Sequence, residues 1–339
     1  MDERKIKILN SIIKSYTESK EPIGSRSLSK KSDIGVSAAT IRNEMSDLEE
    51  LGYLEKIHTS SGRVPSNSGY RLYVDALLSN SIPFRVGPTQ LFDMSKYNES
   101  GEFENVIRNA AKMLSAITNY TSFAMVPEQN KTYLKYINVV YLSPKDLVII
   151  YIYNSKEVLS DTIRLKNSVD KNTIDLINSL FQATLKDLTN EEILDSLEYH
   201  VYEILRNKHS VLNEIIPYIE KTISNNSKPR MFFEGIGNVY MYNKDEISNN
   251  HHIVNLLKEG DLLIDLLSYD METDLQVFIG GEIGIKELNQ FSIITVTFRN
   301  SQGVKGKLGV LGPNSMKYEE VISDLVLINK YINGHIERR

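Results

Sequence analysis

The sequence predicts an α+β, multidomain protein, and three observations carry that prediction. Apolar residues recur at spacings of three and four from residue 3 to residue 52, then give way to alternation over 53–57. A second alternating stretch, 133–166, is followed by residues 170–225, which keep a helical period. Beyond residue 229, short alternating runs interleave with helical ones. A length of 339 residues suits two or three domains, and 41% apolar residues suffice for sizeable cores.

Composition narrows the function. There is no cysteine, which excludes disulfides, cysteine-ligated zinc and thiol catalysis and suits a reducing cytoplasm. The start, MDERKIKILN, is charged and lacks the apolar core of a signal peptide. The longest apolar run, Leu147 to Tyr153, is far too short to span a bilayer. A cytoplasmic protein with no membrane partner is expected. The net charge of −5 disfavours non-specific wrapping of nucleic acid. Residues 1–78 hold 12 basic and 11 acidic residues, whereas the remainder holds 27 basic and 33 acidic ones. Any DNA affinity must therefore come from a local patch on one face of the N-terminal segment.

The first helix spans 3–19, with Ile6, Leu9, Ile12, Ile13 and Tyr16 on one stripe. Pro22 and Gly24 break it. A short second helix, Ser25 to Ser32, turns Leu28 inward and Arg26, Lys30 and Lys31 outward. After the tight connection 33–36 comes a third helix, Ser37 to Gly52. Ser37 is a good N-cap, Ile41, Met45 and Leu48 form an apolar stripe, and Gly52 supplies the left-handed end. The other face carries Ser37, Thr40, Asn43 and Glu44 with Arg42 beside it, and the acids Asp47, Glu49 and Glu50 lie at its far end. That asymmetry suits a helix whose N-terminal half enters a major groove, with its acids kept from phosphate.

Alternation over Tyr53–Ile57, a turn at 58–62 and the return Arg63-Val64-Pro65 predict a small hairpin, a wing. Ser66 then caps a fourth helix lined by Tyr70, Tyr73, Val74, Leu77 and Leu78, which closes a winged helix-turn-helix domain near residue 78. Thr40, Arg42 and Asn43 are the expected base readers. Arginine pairs bidentately with guanine and asparagine with adenine, each worth about 1–3 kcal/mol of discrimination. Ser25, Arg26, Ser37 and Arg63 are expected to position phosphate, joined at the wing by Lys56, His58, Thr59 and Ser60.

Residues 79–98, with two prolines and no clear period, read as a linker. A helix, Glu102 to Asn119, and a strand, Ser122 to Pro127, follow. Strands Leu134–Leu142, Leu147–Tyr153 and Val158–Leu165 form an antiparallel meander, and three helical pieces occupy 170–225. Strands then fall at Met231–Glu234, Leu275–Gly280, Phe291–Phe298 and Gly306–Leu311, with helices at Ile253–Leu267 and Tyr318–Ile336. Joining 99–130 to 229–339 gives helix, two strands, helix, three strands, helix, an order that resembles GAF-type sensor domains. Residues 131–228 are then an insertion, read as a dimerisation domain, because a helix-turn-helix protein reading an inverted repeat must present two copies at a fixed spacing.

Other eye-catching residues carry no chemistry on this reading. His251-His252 are adjacent, so they do not converge on one ion. Gly280-Gly281-Glu282-Ile283-Gly284 lacks the lysine of a phosphate loop and reads as a tight bend at a domain contact. Lys305 and Lys307 alternate with glycines as in an exposed hairpin. No nucleophile–base pair, metal set or cofactor loop stands out. An enzyme is not expected, and neither catalytic residues, a cofactor nor a metal is assigned.

The run Glu21-Pro22-Ile23-Gly24-Ser25-Arg26, the stretch from Ser37 to Gly52 and the stretch from His58 to Ser66 closely resemble the heat-inducible transcription repressor HrcA family. Phe233-Glu234-Gly235, Gly280-Gly281-Glu282 and Gly309-Val310-Leu311-Gly312-Pro313 resemble it too, while no motif is recognised over 131–228. Ser61 and Val64 stand where the family often has alanine and isoleucine. The resemblance implies a dimeric winged-helix repressor that binds an inverted repeat in double-stranded DNA upstream of chaperone operons. It also implies a GAF-like domain, an inserted dimerisation domain, and modulation by the chaperonin GroEL. The rival expectation is a winged-helix regulator whose GAF-like part binds a small effector.

Overall fold

The computed structural model describes residues 2–30, 35–57, 62–79, 103–126, 133–154, 158–197, 211–226, 229–241, 250–299 and 305–336. Two compact units divide the chain, 1–126 with 231–339 and 127–230. Helices and antiparallel sheets alternate through both, an α+β build. The expected linker 79–98 lies, beyond Ser79, outside the described residues.

The first unit begins with α1 (Glu3–Ser19), which Asp2 caps by accepting from the Lys5 amide at 2.8 Å. The short α2 (Ser25–Ser29) leads to α3 (Ala38–Glu50). Leu51 and Gly52, at φ +79°, terminate α3. Strands β1 (Leu54–Glu55) and β2 (Val64–Pro65) pair antiparallel, Leu54 opposite Pro65. Ser66 caps α4 (Asn67–Ser79), accepting from the Gly69 amide at 3.1 Å. Ile8, Leu9, Ile12, Ile41, Leu48 and Val74 are buried together between these helices. Further along run α5 (Phe103–Thr118) and β3 (Thr121–Val126).

The second unit is a meander with helices. Strands β4 (Leu134–Tyr141), β5 (Asp146–Tyr153) and β6 (Val158–Arg164) pair antiparallel in that order. The helices are α6 (Lys171–Thr184), α7 (Asn190–Ser196) and α8 (Leu212–Asn226). Alternate residues of β5, Leu147, Ile149, Tyr151 and Tyr153, are buried with Ile177, Phe181, Ile215 and Ile219, so this unit has its own core. Thr189 and Glu192 complete a reciprocal cap at the start of α7. Of the expected helical piece Ile193–Leu205, residues 198–205 lie outside the described residues.

The first unit resumes with β7 (Arg230–Glu234), a 3-10 turn (Ile236–Met241), α9 (Asn250–Glu259) and α10 (Asp261–Ser268). Then come β8 (Leu275–Ile279), β9 (Phe291–Arg299), β10 (Lys305–Pro313) and α11 (Tyr318–Ile336). The sheet order is β7-β3-β10-β9-β8, with β10 antiparallel to both β3 and β9. Residues of α5 and α11 are buried on one face with those of the N-terminal helices. Residues of α9 and α10 are buried on the other. Cover on both sides explains why β9 is buried from Phe291 to Phe298.

Two expectations are corrected. Ile253–Leu267 is two helices, because Gly260 at φ +71° interrupts the run. Lys307 is not on an exposed hairpin but fully buried, since β10 is a central strand under helices on both faces.

The N-terminal helices dock on this sheet domain. Arg71 of α4 meets Glu282 in the 3-10 turn Gly280–Ile283. Lys20 Nζ donates to Ser315 O and Oγ, each at 2.6 Å, and Asn314 Nδ2 donates to Asn67 Oδ1 at 2.7 Å. The Tyr70 and Tyr318 rings lie 5.8 Å apart. The result is one apolar cluster running from Ile8 through Tyr70 and Tyr318 to Ile332.

Candidate nucleic-acid interface

Helix α3 sets the geometry. Its apolar stripe, Ile41, Met45 and Leu48, is buried against α1 and α2, which turns Arg42 and Asn43 to solvent. Neither of those two side chains bonds to another described residue. Thr40 is half-buried and belongs to the cap: Ser37 Oγ accepts from the Thr40 amide at 3.1 Å and lies 2.9 Å from the Thr40 hydroxyl. The cap satisfies one of the orphan amides at this helix start, and the others point at the space an anion would occupy. On α2, Arg26 is exposed and Ser25 half-buried.

The hairpin is anchored by backbone. Ile23 and Arg63 exchange two hydrogen bonds, each 2.9 Å, which ties the hairpin to the segment before α2. Gly62 fits there because a Cβ would stand 2.4 Å from the Ile23 carbonyl oxygen. The anchored hairpin brings its cations to the end of α3. Lys56 Nζ lies 3.0 Å from Glu49 Oε1, and Arg63 Nε lies 2.6 Å from Glu49 Oε2. Burial would push the Glu49 carboxyl up, but hydrogen bonds and charge from Lys56 and Arg63 outweigh it and hold it below the usual range. Two of the expected phosphate contacts are thus gathered on one carboxylate, and a phosphate would have to compete with Glu49 for them. Glu49, one of the acids expected to be kept from phosphate, pairs with two of the cations expected to position it. It stands with them because α3 ends against the hairpin. His58, Thr59 and Ser60 lie outside the described residues.

Glu44 is also corrected. It was placed on the polar face, yet it is buried and ion-paired 2.9 Å from Lys5 Nζ and 3.6 Å from Arg4. Three residues after Ile41 and one before Met45, it borders the apolar stripe and so meets α1. Lys5 also reaches Asp47 at 3.0 Å. Hydrogen bonds to Glu44 and then Asp47 raise its pKa. These pairings could be found in sequence only by knowing which helix packs on which.

Among the described residues no cluster of histidine and carboxylate side chains could hold a metal, and no helix is long and apolar enough to cross a membrane. His251 and His252 are exposed, with His251 Nδ1 3.3 Å from the Tyr240 hydroxyl.

Comparison with known proteins places this architecture. Residues 104–322 match the family described as HrcA protein C terminal domain. The chain is 33% identical to the heat-inducible transcription repressor HrcA of Alkaliphilus metalliredigens, over 98% of this chain and 97% of that protein. It is also 33% identical to the protein of the same name from Pelotomaculum thermopropionicum, over 100% of this chain and 97% of that one. A crystal structure of a hypothetical protein at 2.2 Å resolution shares the fold, with a TM-score of 0.62, 21% identity, and coverage of 99% of this chain and 98% of that one. The relatives define a family of transcription repressors, not enzymes. The chain belongs to the HrcA family, the heat-inducible transcription repressors.

Proposed function

We propose that the chain represses transcription by binding an inverted-repeat operator in double-stranded DNA as a homodimer. On this reading residues 1–78 are a winged helix-turn-helix. Arg42 and Asn43, with Thr40 at the cap, read bases. Ser25, Arg26, Ser37, Lys56, His58, Thr59, Ser60 and Arg63 hold backbone phosphate. The observation that carries the reading is the outward face of α3, where Arg42 and Asn43 are exposed, and unengaged among the described residues, beside a capped helix start. The sheet order β7-β3-β10-β9-β8 supports a GAF-like domain, and the separate core of 127–230 supports an inserted dimerisation domain.

Repression follows from occlusion. Two winged helices held by the dimer sit in successive major grooves and cover a promoter. Heat release is a population shift, in which an active dimer only a few kcal/mol below inactive forms empties the operator on warming. The family resemblance adds the GroEL chaperonin as the partner that favours the active form.

Footprinting on DNA carrying an inverted repeat tests the reading. Protection of both half-sites by a dimer, lost after mild heating and restored by chaperonin, is expected. Equal affinity for the repeat and for scrambled DNA overturns it.

A further inference from the structure

The face of the sheet under α9 and α10 holds a polar group that operator binding does not use. Lys307 of β10 is 0% exposed. A buried ammonium has three N–H donors to satisfy and costs free energy unless they are. Among the described residues Lys307 has one acceptor, the side-chain carbonyl of Gln276, which is neutral. The carboxylate of Asp270 stands one link further out, its Oδ2 accepting from Gln276 Nε2 at 2.9 Å. Burial pulls the Lys307 pKa down, and Asp270 offsets this only in part.

A second buried donor lies on the same face. Thr295 of β9 is 0% exposed, and its hydroxyl has no partner among the described residues. Register fixes the juxtaposition. Thr295 is opposite Gly309 on one side and Gln276 on the other, while Lys307 is opposite Thr297 and Met125. Gln276, bonded to Lys307 and opposite Thr295, is half-buried, whereas both donors are fully buried.

Unmet N–H and O–H donors around a buried positive charge are complementary to an anion. Asp270, bonded to the other end of the same Gln276 amide, disfavours a second negative charge. Met125 and Phe123, buried on the same face, make the remaining surroundings apolar. We propose that this patch binds a small monocarboxylate with an apolar tail, whose carboxylate replaces the Gln276 amide on Lys307 and accepts from Thr295. The inference goes beyond operator binding and stands whether or not the chain binds DNA.

The full chain is titrated with acetate, butyrate and benzoate, and separately with inorganic phosphate and sulfate, at constant ionic strength. Thermal unfolding and calorimetry are the readouts. Saturable stabilisation by at least one carboxylate, and none by phosphate or sulfate, is expected. Lys307→Met should weaken that binding at least about tenfold. It should also raise the melting temperature of the unliganded protein, because a buried charge short of acceptors is gone. Thr295→Val, which keeps Lys307, should weaken binding by a smaller factor. No saturable response to any carboxylate, an undiminished response in Lys307→Met, or an equal response to phosphate overturns the proposal.

Discussion

Arg71 and Glu282, 211 positions apart, form a two-pronged ion pair in which Arg71 Nε donates to Oε1 at 2.8 Å and Nη2 donates to Oε2. Nη2 also donates to the Val277 carbonyl at 2.5 Å. One guanidinium on α4 therefore grips both β8 and the turn after it.

Removing that grip should loosen the N-terminal helices from the sheet domain. Arg71→Ala is expected to cost about 1–3 kcal/mol, since hydrogen bonds to charged groups are among the stronger ones. In a unit of this size that is roughly 2–4 °C of melting temperature per kcal/mol. Combining it with Glu282→Gln should cost less than the sum of the two. Strictly additive losses in chemical denaturation would show that the two side chains do not stabilise each other.

Glu49 gives a pH dependence with a definite sign. Its folded pKa lies below the ordinary value, so the stabilisation it gives is present above the usual carboxylate range, about 4.3. It is lost as pH falls through the lower folded value, when Lys56 and Arg63 are released. An NMR titration of the Glu49 carboxyl should find a midpoint below that of a model glutamate, and Arg63→Ala should move it up. A midpoint at or above the model value contradicts the pairing.

Gly62→Ala would place a methyl 2.4 Å from Ile23 O and 2.5 Å from Ile23 C, both backbone atoms that cannot rotate away. The Ile23–Arg63 pairing should break, at a cost of about 1–3 kcal/mol. Amide exchange at Ile23 and Arg63 reports it directly. Unchanged protection at both amides would show that the hairpin yields elsewhere.

On the operator reading, three substitutions should separate. Asn43→Ala should relax preference at one base pair per half-site by about 1–3 kcal/mol. Arg63→Ala should weaken all sequences alike and reduce the salt slope by about 1. Glu49→Gln should strengthen binding to all sequences, because it frees Lys56 and Arg63 from a competing carboxylate. A salt slope unmoved by Arg63→Ala removes that residue from the phosphate set.

How much of this is readable in sequence follows from range. Helices α1 and α11 match their expected spans because a sustained period of 3.6 fixes a helix wherever it packs. The Ser37 cap and the Gly52 end are local signals, and they also fix which side chains of α3 face out. Lys307 misleads because a lysine alternating with small residues usually marks a solvent face, and the covering helices lie elsewhere in the chain. Gly260 misleads because an isolated glycine is tolerated in a helix, and only its positive φ shows the break. The partners of Glu49 and Arg71 are fixed by packing across 14 and 211 positions, which leaves no periodic trace.

The apolar cluster that joins Ile8 on α1 to Ile332 on α11 also dictates an order of assembly. During synthesis on the ribosome, α1 through α4 emerge long before the helix that completes their packing. The core of 127–230 has all its members within one stretch and can close while the rest is still being made. Helices α1 to α4, made before the partner that buries them, are thus among the last parts to reach their final stability. For that interval their apolar faces are left uncovered by α11.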